Sequence, residues 1–305
     1  FTENLPPVLR ISFELRKAID ANHEGNVSAA MECEGEIEEI GKQHPLRLIQ
    51  QLHAAPVFAD ARLNALDLDG AFARLEPHIV PARERLEDGV QEAMFAVSYY
   101  MQLLAVRGDV EEALNLWGEV ERHNRTPRDK ERQCVYAAQM LWMGQRHDEA
   151  WEMLRRAMRE LGELSFSGCC RSNQYFAAIA FKLEAYAPRG LKIADCLPRS
   201  GQPSHFPWLN VAFWAYCCAE RQNDGQKSSE RCLKWLCEEL LKEQTKRCGP
   251  LITLVNACIV DHLRAAGALR ADELKGTAES YADLGEHAVK WLQRFPQRPQ
   301  EKFGC

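Results

Sequence analysis

Two places in this chain set an imidazole beside carboxylates, His147-Asp148-Glu149 and Glu286-His287. General acid–base chemistry uses that pairing. Residues adjacent in a helix point in different directions, however, and both pairs stand among other charges, so the solvated-face reading is the stronger. Sulfur also clusters, in the vicinal pairs Cys169-Cys170 and Cys217-Cys218, in Cys232 with Cys237, and in Cys196 with His205. A zinc site wants four ligands in short-spaced couples, and no CxxC or HxxxH couple occurs. No glycine-rich phosphate loop, GxSxG elbow or HExxH pair occurs either. The expectation is no catalytic residue, no cofactor and no metal; the least poor place for a metal or an unrecognised enzymatic site is the stretch holding Cys196 and His205.

Charge supplies two further features. Glu32, Glu34, Glu36, Glu38 and Glu39 form an acidic run with no base until Lys42. Most such runs are solvated faces, and a minority meet a basic partner. Arg122, Arg125, Arg128, Lys130 and Arg132 form the opposite patch, a candidate contact for RNA phosphates. Against that stand the neighbouring glutamates and a net charge of −6, which disfavours non-specific binding to nucleic acid.

The elements that must carry these residues read as helices. Apolar residues recur at i, i+3, i+4, i+7 and i+8 in Val97, Tyr100, Met101, Leu104 and Ala105, and again in Cys134, Ala137, Ala138, Leu141 and Trp142. Ala150, Met153, Leu154, Ala157, Met158 and Leu161 continue the pattern, and copies around Leu209, Leu233 and Leu251 carry it toward the C-terminus. No segment alternates as a strand would. Thr126-Pro127 places an N-cap residue before a first-turn proline. Asp67-Leu68-Asp69 reads as an acidic first turn of a helix. Gly25, Gly108, Gly144 and Gly267 stand where helix ends want a left-handed residue. Cys33, Cys134, Cys217, Cys237 and Cys258 fall on apolar stripes, as reduced core thiols do. Such cysteines point to an intracellular, reducing compartment: cytoplasm, nucleus or organelle matrix. Apolar runs are too short for a membrane span. The first residue, Phe1, fits a processed or trimmed chain.

Two segments repeat one plan. Gly108-Asp109-Val110-Glu111-Glu112-Ala113 and Gly144-Gln145-Arg146-His147-Asp148-Glu149-Ala150 each join two helical patterns, the second with one residue more. Gly25-Asn26-Val27-Ser28-Ala29-Ala30, followed by Ile37, is a weaker copy. From about Met94 to Gly162 the chain resembles tetratricopeptide repeats, or the related pentatricopeptide repeats, through Gly108, Ala113, Trp117 and Val120 and through Ala137, Gly144, Ala150, Leu154 and Ala157. Met101 departs from the family, which prefers a small residue there. The resemblance implies antiparallel helix pairs stacked as an all-α solenoid, with the partner surface on the first helices. It does not extend to the family's carboxylate clamp, because the first helices offer Ser98, Gln102, Cys134 and Ala138 at the inward positions.

The expected organisation is a helical-repeat array over 1–195, an irregular crossing loop over 196–207, a helical block over 208–296 and a tail over 297–305. The expected function is a non-catalytic scaffold that binds a protein partner or is a subunit of a larger complex. Tyr99, Gln102, Gln133 and Gln139 are the candidate contacts on first helices, and Trp151, one residue off the Ala150 stripe, is a candidate exposed anchor. An organellar RNA-binding repeat protein using the 122–132 edge is the alternative, and a helical enzyme is the second. An inward Trp117 predicts that Trp117→Ala lowers stability by roughly 3–5 kcal/mol, read as a drop in the thermal or urea midpoint.

Overall fold

A computed structural model describes residues 5–123, 126–161, 234, 236–238, 240–241, 250–265 and 274. Among these residues the regular structure is helical and there is no strand. The helices are α1 (Pro7–Glu24), α2 (Val27–Gln43), α3 (Leu48–Asn64), α4 (Leu68–Glu84), α5 (Gln91–Arg107), α6 (Val110–Glu121), α7 (Pro127–Met143), α8 (His147–Leu161) and α9 (Pro250–Ala265). The expected loop over 196–207 and the tail lie outside the described residues, as does most of the expected 208–296 block. Two compact units divide the chain: Phe1–His44, Val57–Arg74 and Arg247–Cys305 in one, Pro45–Pro56 and Leu75–Lys246 in the other.

Four turns follow one hydrogen-bonding plan. At each, a single residue takes a left-handed conformation: Gly25 (φ 70°), Leu66 (φ 63°), Gly108 (φ 104°) and Gln145 (φ 60°). The next residue's N–H then reaches back to the closing helix: Asn26 to Ala21 O, Asp67 to Arg62 O, Asp109 to Leu104 O and Arg146 to Leu141 O, at 2.8 to 2.9 Å. That closure satisfies carbonyls a helix end would otherwise leave bare. Five residues after each left-handed position stands a fully buried alanine: Ala30, Ala71, Ala113 and Ala150. Seven residues before it stands Ala18, Ala59, Met101 or Ala138, again fully buried. Small side chains at these points let the two helices of a pair approach closely, and Met101 fills its site instead.

Two expectations change here. Gly144 was expected to take the left-handed turn, but its φ is −76° and Gln145 takes that role. Counted from Gln145, the second copy is no longer than the first. Gly144 serves a different need, since a Cβ there would lie 3.0 Å from Val110 Cγ1. The turn between α3 and α4 is a further copy, built on Leu66 rather than glycine. Its second helix begins where Asp67 Oδ1 accepts the Gly70 N–H at 2.9 Å, in keeping with the acidic first turn read at Asp67. Thr126 caps α7, its side chain accepting the Asp129 N–H at 3.1 Å, and Pro127 opens the helix.

In the first unit α1 packs on α2, and Ala21, Ala30 and Ala61 make a small-residue contact joining α1, α2 and α3. Asn22, 7% exposed, donates from Nδ2 to Val57 O at 2.7 Å. Part of the acidic run meets bases on other helices. Glu34, 5% exposed, pairs with Arg62 at 3.0 Å and with Arg74 at 2.6 Å. Arg74 also holds Glu38 at 2.8 Å, while Lys42 pairs with Glu39 within α2. Cys33 is buried as expected; burial, helped by a hydrogen bond to Glu14, raises its thiol pKa to about 11, so it stays protonated.

In the second unit consecutive helices pack on one another, α5 on α6, α6 on α7 and α7 on α8, and α5 also touches α7. Cys134, Val135, Ala138, Leu141, Ala150 and Leu154 form a core between α7 and α8. Ion pairs also link second helices: Arg83 of α4 to Glu119 of α6 at 2.7 Å, and Arg156 of α8 to Glu121 of α6. Arg146 ties the last turn to Glu111 at 2.7 Å while also holding Glu149.

Two stability measurements test these assignments. Gly108→Ala places a Cβ on a left-handed residue and should cost about 1 kcal/mol, whereas Gln145→Gly relieves that strain and should gain about 0.5 kcal/mol. An unchanged urea midpoint in Gly108→Ala, or a lowered one in Gln145→Gly, would overturn the assignment of the turn residues. Glu34→Ala leaves two arginines without their shared carboxylate; because both retain access to water, the loss should be near 2 kcal/mol rather than the larger cost of a sealed pair.

Candidate functional site

A cleft of about 240 Å³ opens in the second unit, where the first half of α3 meets α5 and α7. His53 reaches it from α3. From α5 come Gln91, Glu92, Met94, Phe95 and Ser98. From α7 come Asp129, Arg132, Gln133 and Tyr136. Positions 91, 94, 95 and 98, and likewise 129, 132, 133 and 136, make one helical stripe each. The adjoining stripe of α5, with Val97, Met101 and Leu104, is fully buried. The same periodicity that fills the core therefore turns these residues into the cleft.

One polar link fixes the floor. Gln133, 4% exposed, donates from Nε2 to Ser98 Oγ at 2.7 Å, joining α7 to α5. Its backbone carbonyl accepts the Trp117 indole N–H at 2.9 Å, which joins α6 as well. Its side-chain Oε1 has no partner. Phe95 stands 41% exposed at the rim, edge-on to Tyr99 with ring centroids 6.5 Å apart. Asp129 accepts the Thr126 hydroxyl at 2.6 Å. Glu92 and Arg132 enter no ion pair among the described residues.

The sequence-derived candidates land unevenly. Gln133 lines the cleft. Tyr99 touches it through Phe95 without lining it. Gln102 and Gln139 lie further along the two stripes, and Gln102 donates to Ser98 O at 3.2 Å within its own helix. Trp151 is half-buried and packs against the α7–α8 core. It occupies the place after the buried alanine that Met31, Phe72 and Leu114 hold in the other turns. Trp117 is half-buried, with its ring anchored by the bond to Gln133.

Three of the five basic-patch side chains, Arg122, Lys130 and Arg132, fall within the described residues. Arg132 enters the cleft beside Asp129 and Glu92. Arg122 and Lys130 are exposed, and Arg122 donates to Gly118 O at 3.1 Å. Arg125 and the Arg128 side chain lie outside the described residues, as do Cys196, His205, the vicinal cysteine pairs and Glu286-His287. Among the described residues no cluster of three metal-ligating side chains occurs. His147 and Asp148 are exposed at the start of α8, and Glu149 is held below the usual carboxylate range by its hydrogen bond from Arg146.

Sequence reading alone passed over His53, Glu92, Met94, Phe95 and Tyr136. Spacing on α5 and α7 carries a signal for Phe95 and Tyr136, since each stands away from the buried stripe of its own helix. His53 carries none, because only packing brings α3 to the other two helices. No helix among the described residues is long and apolar enough to cross a membrane. The chain matches no protein-family model, no curated protein and no solved structure.

Proposed function

We propose that the chain is a tetratricopeptide-like helical repeat that works as a non-catalytic scaffold, taking a segment of a protein partner on its first helices. Support comes from the four equivalent turns, which recur at a period of about 40 residues, as solenoid units do. One observation carries the functional part: the cleft is walled by α3, α5 and α7, which are the first helices of three successive pairs. Its walls mix exposed aromatic and thioether surface with polar groups, the composition of contact sites where a partner is anchored. An RNA-binding role would rest on the basic patch, and the Arg132 side chain shares its cleft with two carboxylates.

Affinity purification from the native source, repeated with Phe95→Ala, tests the reading. The expected result is a protein that copurifies with the parent chain and falls about tenfold with the variant, while the helical spectrum and melting midpoint hold. Retention indifferent to Phe95 would overturn the cleft as the site. Retained RNA with a steep loss on raising salt, weakened by Arg132→Ala, would replace the reading with the nucleic-acid one.

A further inference from the structure

Helices α3 and α4 differ from the others among the described residues. Each holds proline beyond its first turn, Pro56 in α3 and Pro77 and Pro81 in α4. Proline has no N–H to give, and its ring presses on the carbonyl four residues back. The backbone bonds to Leu52 O, Ala73 O and Pro77 O are therefore missing, and fewer bonds hold the helix angle there. We infer that these prolines form one paired hinge, at which α3 and α4 bend together.

The halves on either side of each proline are tied to different helices. After Pro56, α3 is held by α1 and α2: Val57 O accepts the Asn22 Nδ2–H at 2.7 Å, Ala61 packs with Ala21 and Ala30, and Arg62 pairs with Glu34 at 3.0 Å. Before Pro56, His53 lines the cleft with residues of α5 and α7. Helix α4 divides likewise. Arg74, ahead of Pro77, pairs with Glu34 and Glu38 of α2, while Arg83, past Pro81, pairs with Glu119 of α6 at 2.7 Å. The borders of the two compact units fall at the same places, directly after Pro56 and between Arg74 and Leu75, inside the turn that Pro77 leaves open. A further border, from His44 to Pro45, also carries proline. There α2 has ended, and His44 takes the extended φ of −134° and ψ of 90° that a following proline favours.

Position along the pair makes the two gaps act as one. Pro56 stands ten residues before the left-handed Leu66, and Pro77 stands eleven after it. In a reversing pair, residues equally far from the turn are level, here to within about 2 Å at the helical rise. Two level gaps define one bending axis, whereas staggered gaps would each be splinted by the intact helix beside them. Packing clamps a proline kink when it encloses it, but Pro77 is exposed and Val80, one turn on, is 64% exposed. Since His53 precedes Pro56, the cleft keeps all its walls as the helices bend. The device so separates movement from recognition.

Spin labels on p-acetylphenylalanine, which spares the 12 cysteines, test this by double electron–electron resonance on the full chain. One pair is set at Ser28 and Asn115, across the hinge, and another at Asn115 and Arg155, beyond it; all three positions are exposed. The first pair should give a distance distribution about twofold broader than the second. Pro77→Ala with Pro81→Ala returns two donors to α4 and should narrow the first distribution about 1.5-fold; adding Pro56→Ala should bring it near the width of the second. The α4 variant decides by itself if the buried Pro56 site does not accept alanine. A first distribution as narrow as the second in the parent chain would make the prolines fixed kinks and overturn the hinge. So would a breadth that the α4 variant leaves unchanged while its helical spectrum holds.

Discussion

A helix that must reverse within two or three residues needs one backbone unit in the left-handed region and, beyond it, room for the returning helix. Gly25, Leu66, Gly108 and Gln145 meet the first need, and Ala30, Ala71, Ala113 and Ala150 meet the second. The helix pairs depend on this coupling. The reversal fixes where the second helix starts, and the alanine fixes how near it lies. Two of the four left-handed residues are not glycine, so the surrounding hydrogen bonds carry local strain that side chains there normally avoid. Arg146 illustrates the compensation: its N–H closes the turn and its guanidinium holds Glu111 and Glu149.

From the turns, charge and packing extend the order outward. The acidic run of α2 divides: Glu34 sits buried between Arg62 and Arg74 inside its unit, while Glu32, Glu36, Glu38 and Glu39 are exposed. In the second unit the Trp117–Gln133–Ser98 chain of hydrogen bonds ties α6, α7 and α5 together at the base of the cleft. Gln133 links the three helices through two different groups, its side-chain amide to Ser98 and its backbone carbonyl to Trp117.

Much of the helical plan was legible along the chain. Stripes such as Val97, Met101 and Leu104, or Cys134, Ala138 and Leu141, announced their helices because burial enforces a 3.6-residue period. The turns at Gly25 and Gly108 were legible because glycine is the inexpensive left-handed residue. The α3–α4 pair was not: Leu66 stands at its turn, and Pro56, Pro77 and Pro81 lie inside its helices, where composition argues against helix. Gly144 misled for a related reason. Glycine answers to close approach as well as to backbone freedom, and which need it serves depends on Val110, a residue of another helix.

By itself, then, the order of residues determined that this protein is helical, that its helices come in reversing pairs, and that its cysteines at positions such as Cys33 and Cys134 belong to the core. Those properties are local: they follow from periodicity, caps and the conformational range of single residues. Tertiary structure alone decided which bases neutralise the acidic run, which residue turns the last pair, and that His53, Glu92, Phe95 and Gln133 share one cleft. Such partnerships join residues on different helices, and their distances are set by how side-chain volumes pack, which spacing along a chain does not encode.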